Sequence, residues 1–259
     1  MKKNVRVLVA THKKYEMPKD KIYMPIQVGA EGKDDLGYDR DNVGNNISLK
    51  NPYFCELTGL YWAWKNLKAD YVGLSHYRRH FKGEKKSKNK FECILSEKEI
   101  NKLLKSNDII LPKKRNYYIE TLYSHYEHTM YIEPLDITGE ILKEKYPEYY
   151  HEFELLKERK TSHMFNMFIM KKEIMDKYCE WLFDVLFELE KKVDNSKYDS
   201  FHARFYGRVS ELLLDVWLNT NGYKYTEVPV MSMEKVNWWK KGTSFLKAKF
   251  FGKKYGKSF

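Results

Sequence analysis

The sequence predicts an α/β fold: a mixed, mainly parallel sheet flanked by helices, in one domain that carries a basic C-terminal tail. Three observations predict it. Short apolar or β-branched runs alternate along the chain with longer stretches of helical spacing, the pattern of strands connected by helical crossovers. The 259 residues are 42% hydrophobic, enough to build one large core and too apolar for a disordered chain. No internal repeat and no Pro/Gly-rich linker divides the sequence, so residues 1–233 are read as one domain and 234–259 as the tail.

The elements follow in chain order. Val5 to Ala10 is a β-branched run that reads as a buried first strand. Glu31 to Asn46 is rich in Gly, Asp and Asn without periodicity, a loop long enough to suggest function. Phe54 to Leu67 has helical spacing through Leu57, Leu60, Tyr61 and Trp64, with Asn51-Pro52 as its start signal. Tyr71 to Leu74 is the next strand and runs straight into Ser75-His76-Tyr77-Arg78-Arg79-His80. Lys82 to Lys90 is a polar loop. Ser96 to Ser106 reads as a helix in which Ser96 and Glu99 form a capping box. Asp108 to Leu111 is a third strand, stopped by Pro112. Tyr117–Tyr131 and Thr138–Lys157 read as aromatic-rich helices, broken at Pro134 and Pro147. Phe165 to Met170 is a strand, Glu173 to Lys192 and Phe201 to Leu218 are amphipathic helices, and Tyr223 to Val230 is the last strand.

The net charge of +11 points to a negative partner: nucleic acid, anionic lipid or a phosphorylated ligand. It is unevenly placed, since Thr243–Phe259 holds five Lys and no acid. Cys55, Cys93 and Cys179 are odd in number and widely spaced, which argues for a reducing compartment and against a disulfide frame or structural zinc. The N-terminus lacks the apolar core of a signal peptide, and no apolar run reaches the roughly 18 residues of a membrane span. There is no Gly-rich phosphate loop, no HExxH and no GxSxG, which disfavours P-loop and dinucleotide enzymes, zinc proteases and serine hydrolases. His125 and His128 stand at i, i+3 on a helical stretch, a weak metal spacing read as structural.

Ligands of open α/β sheets bind beyond the carboxyl ends of the strands. Three polar, basic segments leave strands there: Thr11-His12-Lys13, Ser75 to His80, and Pro112 to Arg115. Converging cations make an anion site, and the planar fork of Arg suits a diphosphate. Thr11, His12, His76, Tyr77, Arg78 and Arg79 are therefore donor-binding candidates for a phosphorylated substrate.

Beyond these residues, Glu56-Leu57-Thr58-Gly59-Leu60-Tyr61-Trp62-Ala63-Trp64-Lys65-Asn66, followed by Asp70-Tyr71-Val72-Gly73-Leu74-Ser75-His76-Tyr77-Arg78-Arg79, resembles the DUF4422 family of bacterial capsule and exopolysaccharide gene clusters. Pro25-Ile26-Gln27-Val28-Gly29, Gly44-Asn45-Asn46-Ile47-Ser48 and Asn166-Met167-Phe168-Ile169-Met170 with Tyr178-Cys179-Glu180-Trp181-Leu182-Phe183 match its pattern too, over about residues 5–220. The resemblance implies a glycosyltransferase, with galactose or galactofuranose transfer among the activities proposed, and a GT-A-like fold. Asn46 and Asn166, from the matching stretches, join the donor-binding candidates. The chain departs from the family near Gly207, where Arg208 follows the Gly and Leu212, not Arg, follows Glu211.

Glycosyl transfer needs charge at the leaving diphosphate, and an inverting transfer also needs a base for the acceptor hydroxyl. The strand Tyr71–Leu74 ends in Ser-His-Tyr-Arg instead of an acidic pair, so Arg78, Arg79 and His76 are expected to supply the charge. Asp39-Arg40-Asp41 is a DxD by letters and leaves a divalent ion, Mn²⁺ or Mg²⁺, open as a cofactor, with no ligand assigned. Glu211 is the expected base and Asp41 the runner-up. The expected partners are a UDP-sugar donor and a polyprenyl-diphosphate-linked saccharide. Interleaved aromatics and Lys in the tail, from Trp238-Trp239 to Lys257, suit an anionic membrane surface, so the enzyme is expected to lie in the cytoplasm against the inner face of the plasma membrane. A non-catalytic sugar-binding or assembly subunit is the alternative. A nucleic-acid module is not expected, because none of its motifs is present.

Overall fold

The computed structural model describes residues 3–234. In chain order it contains β1 (Val5–Thr11), β2 (Tyr23–Gln27), β3 (Asp39–Arg40), α1 (Asn51–Phe54), α2 (Leu57–Asn66), β4 (Tyr71–His76), β5 (Arg79–Phe81), α3 (Glu97–Leu103), β6 (Ile109–Pro112) and β7 (Arg115–Asn116). There follow α4 (Leu122–Thr129), α5 (Glu133–Lys145), α6 (Pro147–Glu158), β8 (Thr161–Ser162), β9 (Phe168–Lys171), α7 (Lys172–Lys192), α8 (Phe205–Thr220), β10 (Thr226–Val228) and β11 (Val230–Ser232).

All of β1 but Arg6 is buried, as a central parallel strand requires. The main sheet runs β10-β6-β9-β4-β1-β2-β3. β1 is parallel to β2 and β4, β2 to β3, and β10 to β6, while β9 is antiparallel to both its neighbours. β5 turns back on β4 and pairs β11. Alternation along the strands divides the core in two. Leu8, Ala10, Val72 and Leu74 pack with residues of α2 and of α4 to α8 on one face; Val7, Val9, Ile110 and Ile169 pack with Ile100 of α3 and with Phe81, Ile94 and Leu95 on the other. The result is the mixed, mainly parallel sheet flanked by helices that the alternation of segments predicts.

The details differ where local rules meet tertiary context. β2 is not legible as a strand in the sequence, because Pro25 interrupts its run. β3 pairs only Ile26 and Gln27, so the first residues of β2 form an edge, where Pro is tolerated. Pro134 and Pro147 do not break helices but begin them, each in the first turn of α5 and α6, where its missing N–H costs nothing. The stretch 117–131 is helical only over α4, and Tyr117–Thr121 is loop. The Ser96/Glu99 capping box forms as expected. Gly73 lies in β4 between β1 and β9, where a Cβ would meet Ile169 Cγ1 at 2.8 Å and the Phe168 carbonyl at 2.9 Å. That close approach explains a Gly in a central strand.

Candidate active site

The topology brings the carboxyl ends of β1 and β4 side by side, with Ala10 beside His76. Just beyond them lie Thr11-His12-Lys13 from β1, the turn Tyr77-Arg78 between β4 and β5, and Arg79. Because β9 runs antiparallel to β4, with Phe168 opposite Leu74, the residues entering β9 arrive at this same edge. His76 donates from Nε2 to the Phe165 carbonyl at 2.6 Å. The first turns of α8 close the edge: Arg204, Arg208 and Glu211 stand at i, i+4 and i+7, hence on one helix face.

Two electrostatic zones result. Around His12 the field is positive. Burial, then Arg78, Lys13, Arg204 and Lys33, holds its pKa below the ordinary imidazole value. Tyr77 is buried edge-on to His12 and Tyr15, its ring centroid 5.4 Å and 4.9 Å from theirs. Arg78 and Lys13 lie 3.7 Å and 3.9 Å from the carboxylate oxygens of Glu234, so these cations already share one anion. Around Arg79 the field is mixed. Arg79 lies over the Phe165 ring at 4.6 Å. Burial first, then Arg78, lowers its pKa, while Glu211 and Glu56 oppose them. Arg208 Nη1 is 3.5 Å from Glu211 Oε1, and Glu211 raises the Arg208 pKa. Glu211 itself is 6% exposed, and among the described residues its buried Oε2 has no hydrogen-bond partner. Burial raises its carboxyl pKa, with Arg208 pulling the other way. A buried acid with one unpartnered oxygen is poised to take a proton from a hydroxyl placed beside it.

The expected site residues divide. His12, Tyr77, Arg78, Arg79, Asn166 and Glu211 come together here. Thr11 is at the same edge, but its hydroxyl donates to the Lys13 carbonyl at 2.7 Å and shapes that turn. His76 is no source of positive charge: burial is the largest influence on its pKa and lowers it, so it acts as a neutral donor. Asn46 does not join the cluster. Its Nδ2 donates to the Gly44 carbonyl at 2.8 Å and its Oδ1 accepts from Ser48 N at 3.1 Å, within its own loop.

Asp41 has a structural place. Fully buried, it accepts from Gly29 N at 2.7 Å, Ala30 N at 3.0 Å, the Ser48 hydroxyl at 2.5 Å and the Thr58 hydroxyl at 2.6 Å. Gly29 has φ +61°, and a Cβ there would fall 2.4 Å from Asn51 Oδ1, so only Gly fits this cradle. With its four acceptor positions filled, Asp41 has none left for an acceptor hydroxyl or a metal ion. Its DxD partner Asp39 is exposed, and the pair does not fit a divalent cation. His125 and His128 both donate from Nδ1 to Glu120, at 3.0 Å and 2.7 Å, which accounts for their spacing.

Glu56, Arg115 and Arg204 were not singled out as functional residues from the sequence, although Glu56 opens the string that carries the family resemblance and Arg115 closes the third basic segment. Arg115 lies over the Tyr117 ring at 4.8 Å and is near enough to Glu211 to lower its pKa, whereas Lys113 and Lys114 are exposed.

A family model described as a domain of unknown function, DUF4422, matches residues 6–222. The apo structure of the bifunctional glycosyltransferase WbbM superposes with a TM-score of 0.82 at 31% identity, over 90% of this chain and 46% of that one. The present chain thus spans about half the length of that protein. No curated protein matches.

Proposed function

Since the chain belongs to the DUF4422 family, we propose that it is a glycosyltransferase that moves a hexose from a nucleoside diphosphate to a saccharide acceptor. One observation carries the reading: a row of cations and a buried acid with an unpartnered oxygen share one sheet edge. The likeness to half of a bifunctional glycosyltransferase supports it.

The chemistry follows from that arrangement. The donor diphosphate takes the place of Glu234 between Lys13 and Arg78, and Arg79 reaches the same group. The acceptor oxygen attacks the anomeric carbon as the bond to the diphosphate breaks. Glu211 Oε2 receives the hydroxyl proton, and the guanidiniums meet the charge developing on the leaving group. Fixed cations at that position perform the electrostatic task that a bound metal performs elsewhere.

The finer assignments are part of the proposal: UDP as the nucleotide, galactose or galactofuranose as the sugar, and a polyprenyl-diphosphate-linked saccharide of capsule or exopolysaccharide synthesis as the acceptor. GT-A-type donor binding and attachment to the cytoplasmic face of the plasma membrane belong to it as well. Among the described residues no helix is long and apolar enough to cross a membrane. Trp238 to Lys257, the segment expected to contact lipid, lies outside the described residues.

Isothermal titration of the full chain with UDP and other nucleoside diphosphates, with and without Mn²⁺, tests the donor reading. Binding in the absence of metal is expected, and no binding to any nucleoside diphosphate refutes it.

A further inference from the structure

Among the described residues four that are not glycine hold a positive φ: Cys55 at 51°, Tyr118 at 55°, Phe165 at 78° and Asn166 at 53°. Left-handed backbone at such residues persists only where the surrounding structure enforces it, and it concentrates at functional sites. Three of the four meet at one contact. Cys55 precedes Glu56, and Phe165-Asn166 leads into β9. Asn166 donates from Nδ2 to Glu56 Oε1 at 2.8 Å and to the Gly207 carbonyl at 3.0 Å, and its Oδ1 accepts from the Ser210 hydroxyl at 2.9 Å. The strained backbone thus pins Glu56, at the start of α2, to the turn of α8 that carries Arg208 and Glu211.

This network uses one oxygen of Glu56; Oε2 makes no bond to any described residue. Glu56 is close enough to Glu211 to raise its pKa, and it steadies the charge on Arg79 and Arg208. Two carboxylates, each with an oxygen that no described residue engages, therefore sit beyond the cations. They repel a diphosphate, but they are strong acceptors for neutral hydroxyl groups, which is what a pyranose or furanose ring presents. A base needs only one of them.

We propose that Glu56 is a specificity-determining residue that binds ring hydroxyls of the donor sugar through Oε2, while Glu211 serves the acceptor. The assignment rests on the donor reading above. It gives the cleft a polarity: nucleoside diphosphate over His12 and Arg78, sugar ring between Arg79 and Glu56, acceptor at Glu211. Asn166 is the positioning residue that aims Glu56.

The test uses the full chain and its Glu56→Gln variant, which keeps an amide oxygen to accept from Asn166 and so preserves a purely structural role. From a panel of nucleoside diphosphate hexoses the tightest binder is chosen, and its parent diphosphate and its monodeoxy analogues are titrated against both proteins. The parent diphosphate is expected to bind both equally. The hexose donor is expected to bind Glu56→Gln about 10- to 100-fold more weakly, as befits loss of a hydrogen bond to a charged group. The penalty that the wild type imposes on one deoxy analogue is expected to shrink in the variant, since the neutral amide offers that hydroxyl a weaker contact than the carboxylate does. Unchanged hexose affinity, or an undiminished penalty for every deoxy analogue, overturns the assignment. Equal weakening of the parent diphosphate makes Glu56 a structural residue and overturns it too. Failure of the wild type to bind any nucleoside diphosphate refutes the donor reading itself, and the assignment with it.

Discussion

Replacing Asp41 by Asn changes one atom of a buried cradle, and the structure gives the cost. Asn keeps one acceptor oxygen and turns the other into a donor. In one orientation the new NH₂ faces Gly29 N and the Thr58 hydroxyl, in the other Ala30 N and the Ser48 hydroxyl. Either hydroxyl can turn and accept, but the backbone N–H has nowhere to go and is left buried against a donor. Hydrogen bonds to a charged group contribute about 1.5–3 kcal/mol each, and an orphaned buried donor costs about as much. Losing the charge-assisted backbone bond and weakening the reversed hydroxyl contact predict a destabilisation of about 2–4 kcal/mol, a substantial share of the roughly 5–15 kcal/mol that holds a typical domain together. For a domain of this size that lowers Tm by on the order of 10 °C. Urea and thermal unfolding followed by circular dichroism read the shift, and activity per folded molecule is measured below the transition. A variant with wild-type midpoint and slope refutes the structural account. A variant that stays as stable as the wild type but loses turnover makes Asp41 a catalytic base after all.

Further outcomes follow from the same geometry. Arg78→Ala and Arg79→Ala should each lower transfer by about 10²–10³, the scale of one preorganised charge contact, and leave the chain folded; the Arg78–Glu234 pair is exposed and contributes at most about 1 kcal/mol. Full activity in both variants would remove them from the mechanism. Glu211→Gln should lower kcat by about 10²–10⁴ with donor affinity nearly unchanged. Burial raises the Glu211 pKa above 4.5 and the carboxylate is the active form, so wild-type kcat/KM should climb as pH rises through that raised value, a limb the variant lacks. The stability sign is the opposite: a raised carboxyl pKa favours folding below 4.5 and loses that contribution as pH climbs, so Glu211→Gln should be no less stable than wild type at pH 8. A lower Tm there would contradict the burial argument. Gly73→Ala should cost about 1–3 kcal/mol by overpacking β4 against β9, read by urea unfolding, and a neutral result would mean the sheet yields at that point. Liposome flotation should separate the full chain from one ending at Glu234 on anionic vesicles at low salt, and equal behaviour would dismiss the tail as a membrane contact.

The positions of β1, β4, β6 and β9 and the helical register of α2, α7 and α8 can be read from the sequence because they are periodic, and periodicity is a local consequence of having one or two faces to bury. The basic segments after β1 and β4 could be placed at a binding edge for the same reason: once the strands are known, their carboxyl ends are known. β2 could not be read because Pro25 argues against a strand, and only the late start of β3 makes it acceptable. Pro134 and Pro147 gave the right neighbourhoods and the wrong consequence, since a Pro that ends one helix and a Pro that starts the next look alike in sequence.

The acids of the site were the part only tertiary structure could decide. Asp41 and Glu211 are both acids near basic residues, and nothing local separates them. What separates them is the count of donors that reach each one. Asp41 is filled by groups 7 to 17 residues away in the chain, whereas among the described residues Glu211 has Arg208 on one oxygen and no partner on the other. Glu56 was hidden more deeply, because its partner Asn166 is 110 residues distant. The sequence by itself determined an α/β sheet with a cationic edge, since strand formation and charge are properties of short segments. The tertiary structure decided which carboxylates at that edge remain open, because hydrogen-bond satisfaction is set by whichever donors the fold delivers, and those come from anywhere along the chain.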